Sequence, residues 1–225
     1  ALSLAIDRDI ITRKVLGSGE QPATSWVPPG VLGHQTAPAQ WAGWSREQSL
    51  ADARRLYVEA GYSAKNPAKV EIRYNTHDDH KKLATAIAAM WKQWLGVETT
   101  LINEEWKVYL QNRRLKARTQ AFRAGWIGDY NDANSFLEIL QSTHGLNDSA
   151  YVSAEYDALL SAASLEASPQ RRQQLLKDAE RLLLEDLPVI PIYFYVTKRL
   201  VAPNVVGWKG NIMDHHASRH FRISD

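Results

Sequence analysis

Residues 69 to 126 predict an α/β fold built on a mixed, mainly parallel sheet flanked by helices. Two short stretches, "KVEIRYN" (69–75) and "VETTLIN" (97–103), alternate apolar and polar residues as half-buried strands do. Each is followed by a longer stretch with apolar residues at helical spacing, and "TQAFRAGW" (119–126) closes the series as a third strand. A strand-helix-strand-helix-strand order is the pattern of parallel pairing through crossover helices.

The elements follow in order. The opening "ALSLAIDRDIITRKVLG" is patterned as a helix, and residues 21 to 44, rich in Pro, Gly and Trp, predict an ordered surface loop. Ser45 with Gln48 resembles a capping box for a helix carrying Leu50, Ala53, Leu56, Tyr57 and Ala60, with Gly61 at its end. After the first strand, Thr76 with Asp79 gives a second capping signal before the stripe Leu83, Ile87, Met90, Trp91, Trp94 and Leu95, which Gly96 ends. "EEWKVYLQNRRLKA" reads as the next helix. Downstream lie helices near Ser135 to Leu140, from Ser153 to about Leu165, and from Ser168 as cap with Pro169 at the first helical position. "VIPIYFYV" (189–196) reads as a buried strand whose Pro191 hints at an edge or bulge.

At 225 residues, 44% of them hydrophobic, the chain has the material for one large α/β core or two small ones. Its 27 basic and 25 acidic residues nearly balance, and no basic block is dense enough for a nucleic-acid footprint. The absence of cysteine excludes disulfides, thiolate metal sites and thiol nucleophiles. An apolar start without Met, signal-peptide pattern or 18-residue apolar run predicts a piece of a longer protein. No GxSxG elbow, P-loop, GxGxxG or HExxH occurs, so neither catalytic residues nor a cofactor are expected. His77 with His80, and His215, His216 and His220, have too few companion ligands for a metal to be expected.

"FRAGWIGDYN" (122–131) is the candidate site, because ligands of open α/β sheets gather where loops leave the carboxyl ends of strands. With Arg123 and Trp126 at a strand end, Gly125 lets a ligand backbone approach, and Gly128 permits the turn that presents Asp129. A partly buried Asp129 needs a cation, either a ligand ammonium or Arg123 itself. Arg113 continues the face of Trp106, Tyr109 and Leu110, so it meets an internal acid, snorkels to solvent, or faces a ligand carboxylate. His80 lies in the first turn of a helix, where a solvated surface group and an anion contact are both open readings.

The ordered segments "AIDRDII" (5–11), "YNTHDDHKKLA" (74–84), "NEEWKVYLQNR" (103–113), "RAGWIGDYND" (123–132) and "VIPIYFYVTKRLV" (189–201) resemble the C-terminal half of periplasmic oligopeptide-binding proteins, the solute receptors of peptide ABC importers. The likeness runs from Ala1 to about Val201. It implies a type II periplasmic-binding-protein-like lobe, with residues 1–198 as the peptide-binding lobe and 199–225 as a tail returning to a missing N-terminal lobe. It further implies short peptides and a membrane ABC permease as partners, and a periplasmic location.

By that resemblance Asp129 pairs with a peptide's α-ammonium and Arg123 lies near its C-terminal region. Gly125 and Ile127 offer backbone hydrogen bonds, and Trp126 walls a side-chain pocket. His80 and Arg113 meet peptide carboxylates directly or through water, Trp106 and Leu110 line a second pocket, and Asn75 and Tyr195 are further carry-overs. The chain departs from the family pattern at Ile127, where a relative has Cys, at Ala133, where Pro is common, and by one extra residue between Arg113 and Arg123. The implied function is a receptor gripping peptides by backbone and termini. Murein-peptide, dipeptide, nickel or haem receptors and a peptidase-like enzyme stand as alternatives.

Overall fold

A computed structural model describes residues 1–116 and 120–224 of the chain. The opening helical stretch is broken at Ile6 and Asp7 into α1 (Leu2–Ala5) and α2 (Arg8–Ile10), the latter running on as a π-helical turn to Leu16. Asp7 caps α2 by accepting the Ile10 N–H at 2.9 Å. The Pro- and Trp-rich loop is ordered as expected. It contains a two-residue strand β1 (Gln21–Pro22) and a 3-10 turn at Gln40–Gly43, and Trp41 lies under the buried Arg8 guanidinium at 4.2 Å.

Helix α3 (Arg46–Glu59) starts where Ser45 accepts the Gln48 N–H at 3.1 Å, the predicted cap. Strand β2 (Lys69–Asn75) occupies the predicted span and buries Ile72 and Tyr74. Helix α4 (Asp78–Leu95) lays Leu83, Ile87, Met90, Trp91 and Leu95 into the same core, and Gly96 closes it with a left-handed φ of 76°. Its cap, however, is His77, whose Nδ1 accepts the Asp79 N–H. Thr76 is diverted, donating its hydroxyl to Asn103 Oδ1 and the Glu104 carbonyl at the end of strand β3 (Glu98–Glu104). Helix α5 (Trp106–Arg114), capped by Glu105, is shorter than expected, and Ala117 lies outside the described residues.

Strand β4 covers Ala121–Phe122, so the predicted third strand is much reduced, its Thr119 lying outside the described residues. The ladder continues for one bond, Arg123 N–H to Arg73 O at 2.8 Å, and then stops. Tyr109, wholly buried on α5, gives its hydroxyl to the Arg123 carbonyl. The chain therefore leaves the sheet at the residue where the candidate loop begins. The sheet order is β3-β2-β4, all parallel, which is the expected β-α-β-α-β unit.

Helix α6 (Asn134–Leu137), α7 (Ala154–Leu165) and α8 (Pro169–Asp186) build a second core with Leu137, Tyr156, Leu160, Leu176 and Leu183. Ser153 and Ser168 cap α7 and α8 as predicted. The expected buried strand at 189–196 is only β5 (Tyr193–Phe194), half-buried and paired antiparallel with β1. Pro191 has no N–H for a ladder, and its carbonyl is taken by the Arg8 Nε–H at 2.8 Å. In the tail, β6 (Val205–Val206) and β7 (Arg222–Ile223) form another antiparallel ribbon, and Asp225 lies outside the described residues. Among the described residues, antiparallel pairing lies outside the parallel sheet, in two-residue ribbons and an isolated Ser63–Asn66 bridge.

Candidate functional site

A groove of about 1140 Å³ runs between the two cores, lined by Leu83, Ile87 and Trp91 on one side and Val31, Trp126 and Phe136 on the other. Six of the expected residues line it: His80, Arg123, Gly125, Trp126, Ile127 and Tyr195. The first turn of α4 supplies His80, and the chain leaving β4 supplies Arg123 to Ile127. Tyr195 follows β5 and is half-exposed. The tail adds Ile212, Met213 and Asp214 to the lining.

Arg123 and His80 act on each other within the groove lining, which also includes Lys69 and Lys116. Arg123 is half-buried, hydrogen-bonded to the Tyr193 side chain and stacked 5.7 Å from the Tyr195 ring centre. Burial lowers its proton affinity, the nearby tyrosines offsetting part of that effect. His80 is likewise half-buried, its Nδ1 3.4 Å from the Asn75 carbonyl and its ring 4.7 Å from that of His77. Desolvation, followed by the charge of Arg123, lowers the His80 pKa to about 4. Its imidazole is therefore neutral at pH 7, in a positive field that an anion would relieve.

Asp129 is exposed, and it has no ion-pair partner among the described residues. The expected partly buried carboxylate and the alternative bridge to Arg123 are both absent from this arrangement. Gly128 and Tyr130 on either side line the groove, whereas the exposed Asp129 itself does not. Gly128 has no left-handed φ of the kind a turn would need; instead its lack of a Cβ leaves room for the Phe136 ring, which a Cβ there would meet at 2.7 Å from Cζ. At Gly125 a Cβ would come within 3.1 Å of the Tyr195 ring and 3.3 Å of Arg123 Nη2, so glycine lets those groups close over the backbone.

Arg113 takes the internal-acid reading. Its Nε lies 2.5 Å from Asp148 Oδ2, both side chains largely buried, and its guanidinium sits 5.7 Å from the Tyr109 and Phe122 rings. Asp148, not Arg113, lines the groove. Trp106 is half-exposed and stacked on Tyr109 at 6.0 Å, and neither it, Leu110 nor Asn75 lines the groove here. Asn75 stands at the end of β2 with its Oδ1 buried and unpartnered among the described residues.

Sequence reading missed Tyr193, which tethers Arg123, and Ser135, whose hydroxyl accepts the Asp129 N–H at 2.8 Å. It also missed Trp26, which lines the groove and donates its indole N–H to the Phe136 carbonyl at 2.6 Å. The loop's tryptophan content was the available signal for Trp26. No local pattern marks the other two.

Comparison with known proteins agrees with this architecture. Residues 1–148 match the model of bacterial extracellular solute-binding proteins, family 5, middle region. The chain is 40% identical over 211 residues to the periplasmic murein peptide-binding protein MppA of Escherichia coli, covering 94% of this chain and 39% of that protein. It is 39% identical over 224 residues to the periplasmic oligopeptide-binding protein OppA of the same organism, covering 99% and 41%. Among solved structures, Haemophilus influenzae OppA in complex with the peptide RPPGFSPFR superposes with a TM-score of 0.87 at 36% identity, over 99% of this chain and 44% of that one. The chain spans about two fifths of the length of the curated relatives it matches. Its matched segment and its type II binding-protein fold together place the chain in the bacterial extracellular solute-binding protein family 5.

Proposed function

We propose that this chain is the second lobe of a two-lobed extracytoplasmic receptor that binds short peptides in the groove and presents them to a membrane ABC permease. The observation that carries the reading is the groove's charge layout. Arg123 and a neutral, acid-shifted His80 line one groove, and Asp129, between the lining residues Gly128 and Tyr130, carries an exposed carboxylate without an ion-pair partner among the described residues. That layout suits a zwitterion held by both ends. The relatives named for oligopeptide and murein-peptide binding, and the one solved with a nonapeptide, support it.

In this reading Asp129 meets the peptide ammonium, while Arg123 and His80 meet a carboxylate. Gly125 and Ile127 offer main-chain bonds, and Trp126 and Tyr195 wall side-chain pockets. Arg113 serves a carboxylate by exchanging Asp148 for it or through water, with Trp106, Leu110 and Asn75 completing the cleft once the partner lobe closes. Termini and backbone supply the affinity, so side chains vary in roomy, hydrated pockets. Closure is a hinge motion driven by contacts that only the closed state makes. The receptor works in the periplasm and performs no chemistry on its ligand.

The full-length protein incubated with a mixture of short peptides should retain them intact in native mass spectra. Accumulating cleavage products would replace this reading with a peptidase.

His80 offers a test of the carboxylate end. In the free protein its imidazole should titrate near pH 4 by NMR. A bound carboxylate stabilises the imidazolium and raises that pKa, so binding takes up protons and strengthens as pH falls from 7 toward 5. A C-terminally amidated peptide should show neither effect. An unchanged His80 titration with bound peptide would remove His80 from the site.

A further inference from the structure

The placement of Asp129 has a physical cause that spacing does not show. Beyond Arg123 the chain makes no ladder bonds up to the turn at Asp132, so other ties must set where its carboxylate stands. Ser135, in the first turn of α6 and wholly buried, supplies two of them. Its hydroxyl accepts the Asp129 N–H at 2.8 Å, and its carbonyl accepts the Trp126 indole N–H at 2.7 Å. One residue thus fixes the backbone that carries the Asp129 carboxylate and the pocket wall relative to each other.

Ser135 is itself held. Its own N–H reaches the Asp132 carbonyl at 3.2 Å, and the Asp132 carboxylate accepts the Asn134 N–H at 2.8 Å. That carboxylate is also gripped by Arg172 of α8 through two bonds of 2.7 and 2.9 Å. The bidentate geometry restricts rotation as well as distance. Asn131 Oδ1 adds a bond from the Leu32 N–H at 2.9 Å, tying the same turn to the loop opposite.

We propose that Ser135, braced by the Asp132–Arg172 pair, is a positioning residue for the amino-end site: it holds Asp129 where a ligand ammonium must arrive. The proposal rests on the reading of Asp129 given above. A carboxylate left free to wander pays for its own ordering on each binding event, so losing the brace weakens the ammonium contact specifically.

The test measures, in the full-length protein, the affinity ratio between a tripeptide and its N-acetylated form for wild type, Ser135→Ala, Arg172→Met and Asp129→Asn. Ser135→Ala should lower the ratio about tenfold, the effect of one lost hydrogen bond, with the acetylated peptide binding as before. Arg172→Met should lower it in the same direction, and it carries the test should Ser135→Ala fail to fold. An unchanged ratio, or equal losses for both peptides, would overturn the positioning role. If Asp129→Asn itself leaves the ratio intact, the reading of Asp129 falls. If Asp129→Asn collapses the ratio and Ser135→Ala does not, the positioning proposal alone falls.

Discussion

Replacing Asp129 by Ala in the full-length receptor should weaken binding of peptides with a free amino end by about 30-fold or more. In this chain the carboxylate is exposed and unpaired among the described residues, so it costs little to keep there. In the receptor proposed above, closure over a peptide would take both the carboxylate and the ammonium out of bulk water. Truncating one partner of such a desolvated, hydrogen-bonded pair costs about 2–5 kcal/mol, and the lower bound is roughly 30-fold in affinity. N-acetylating the peptide removes the same contact from the other side, so it should cost wild type a similar amount and the Asp129→Ala variant little more. Calorimetry on the four combinations closes the cycle. Equal wild-type affinities for free and acetylated peptides would exclude Asp129 as the ammonium partner.

How far the fold could be read from sequence depended on whether local pattern or distant partners fixed each element. Strand β2 was legible because its alternation reflects unequal faces, Ile72 and Tyr74 lying in the core shared with α4. Helices α3, α7 and α8 were legible because their serine caps act within three residues. The strands at 119–126 and 189–196 were read too long because apolar composition does not say where each backbone group finds its partner. The Arg123 carbonyl is claimed by Tyr109 and the Pro191 carbonyl by Arg8, 183 positions away.

The same distinction divides the site. Family resemblance brought His80, Arg123, Gly125, Trp126, Ile127 and Tyr195 to one groove, and the structure does bring these six together. The choice Arg113 makes among acid, solvent and ligand was open in the sequence, because Asp148 lies 35 residues downstream. The cap at α4 went to His77 because Thr76 found better use at the end of β3. These outcomes are tertiary, and helical or strand spacing carries no record of them.

Glu180→Ala should lower the thermal midpoint of this chain by about 10 °C. Glu180 falls four residues after Leu176 and three before Leu183 and therefore sits on the buried face of α8, with no exposed surface. Its Oε1 accepts the N–H groups of Trp26 at 2.9 Å and Val27 at 2.7 Å. Its Oε2 accepts the Ala37 N–H at 3.1 Å and pairs with His34 Nε2 at 2.8 Å, in a site where the His34 side chain is also buried. The carboxylate therefore replaces the hydrogen-bonding partners that a buried loop otherwise lacks. Removing it strands three backbone donors and an imidazole, a loss of about 3–5 kcal/mol. At about 2–4 °C per kcal/mol for a domain of this size, the shift is roughly 10 °C. Glu180→Gln keeps one acceptor but turns an amide NH₂ toward donors at the other end, so its midpoint should fall between the two. Because this loop also carries Trp26 and Val31 into the groove wall, the destabilised variant should lose groove shape before it loses the parallel sheet. Differential scanning calorimetry decides the matter: an Ala variant melting within about 2 °C of wild type would mean that water or a rearranged loop satisfies those donors, and that Glu180 does not hold the wall.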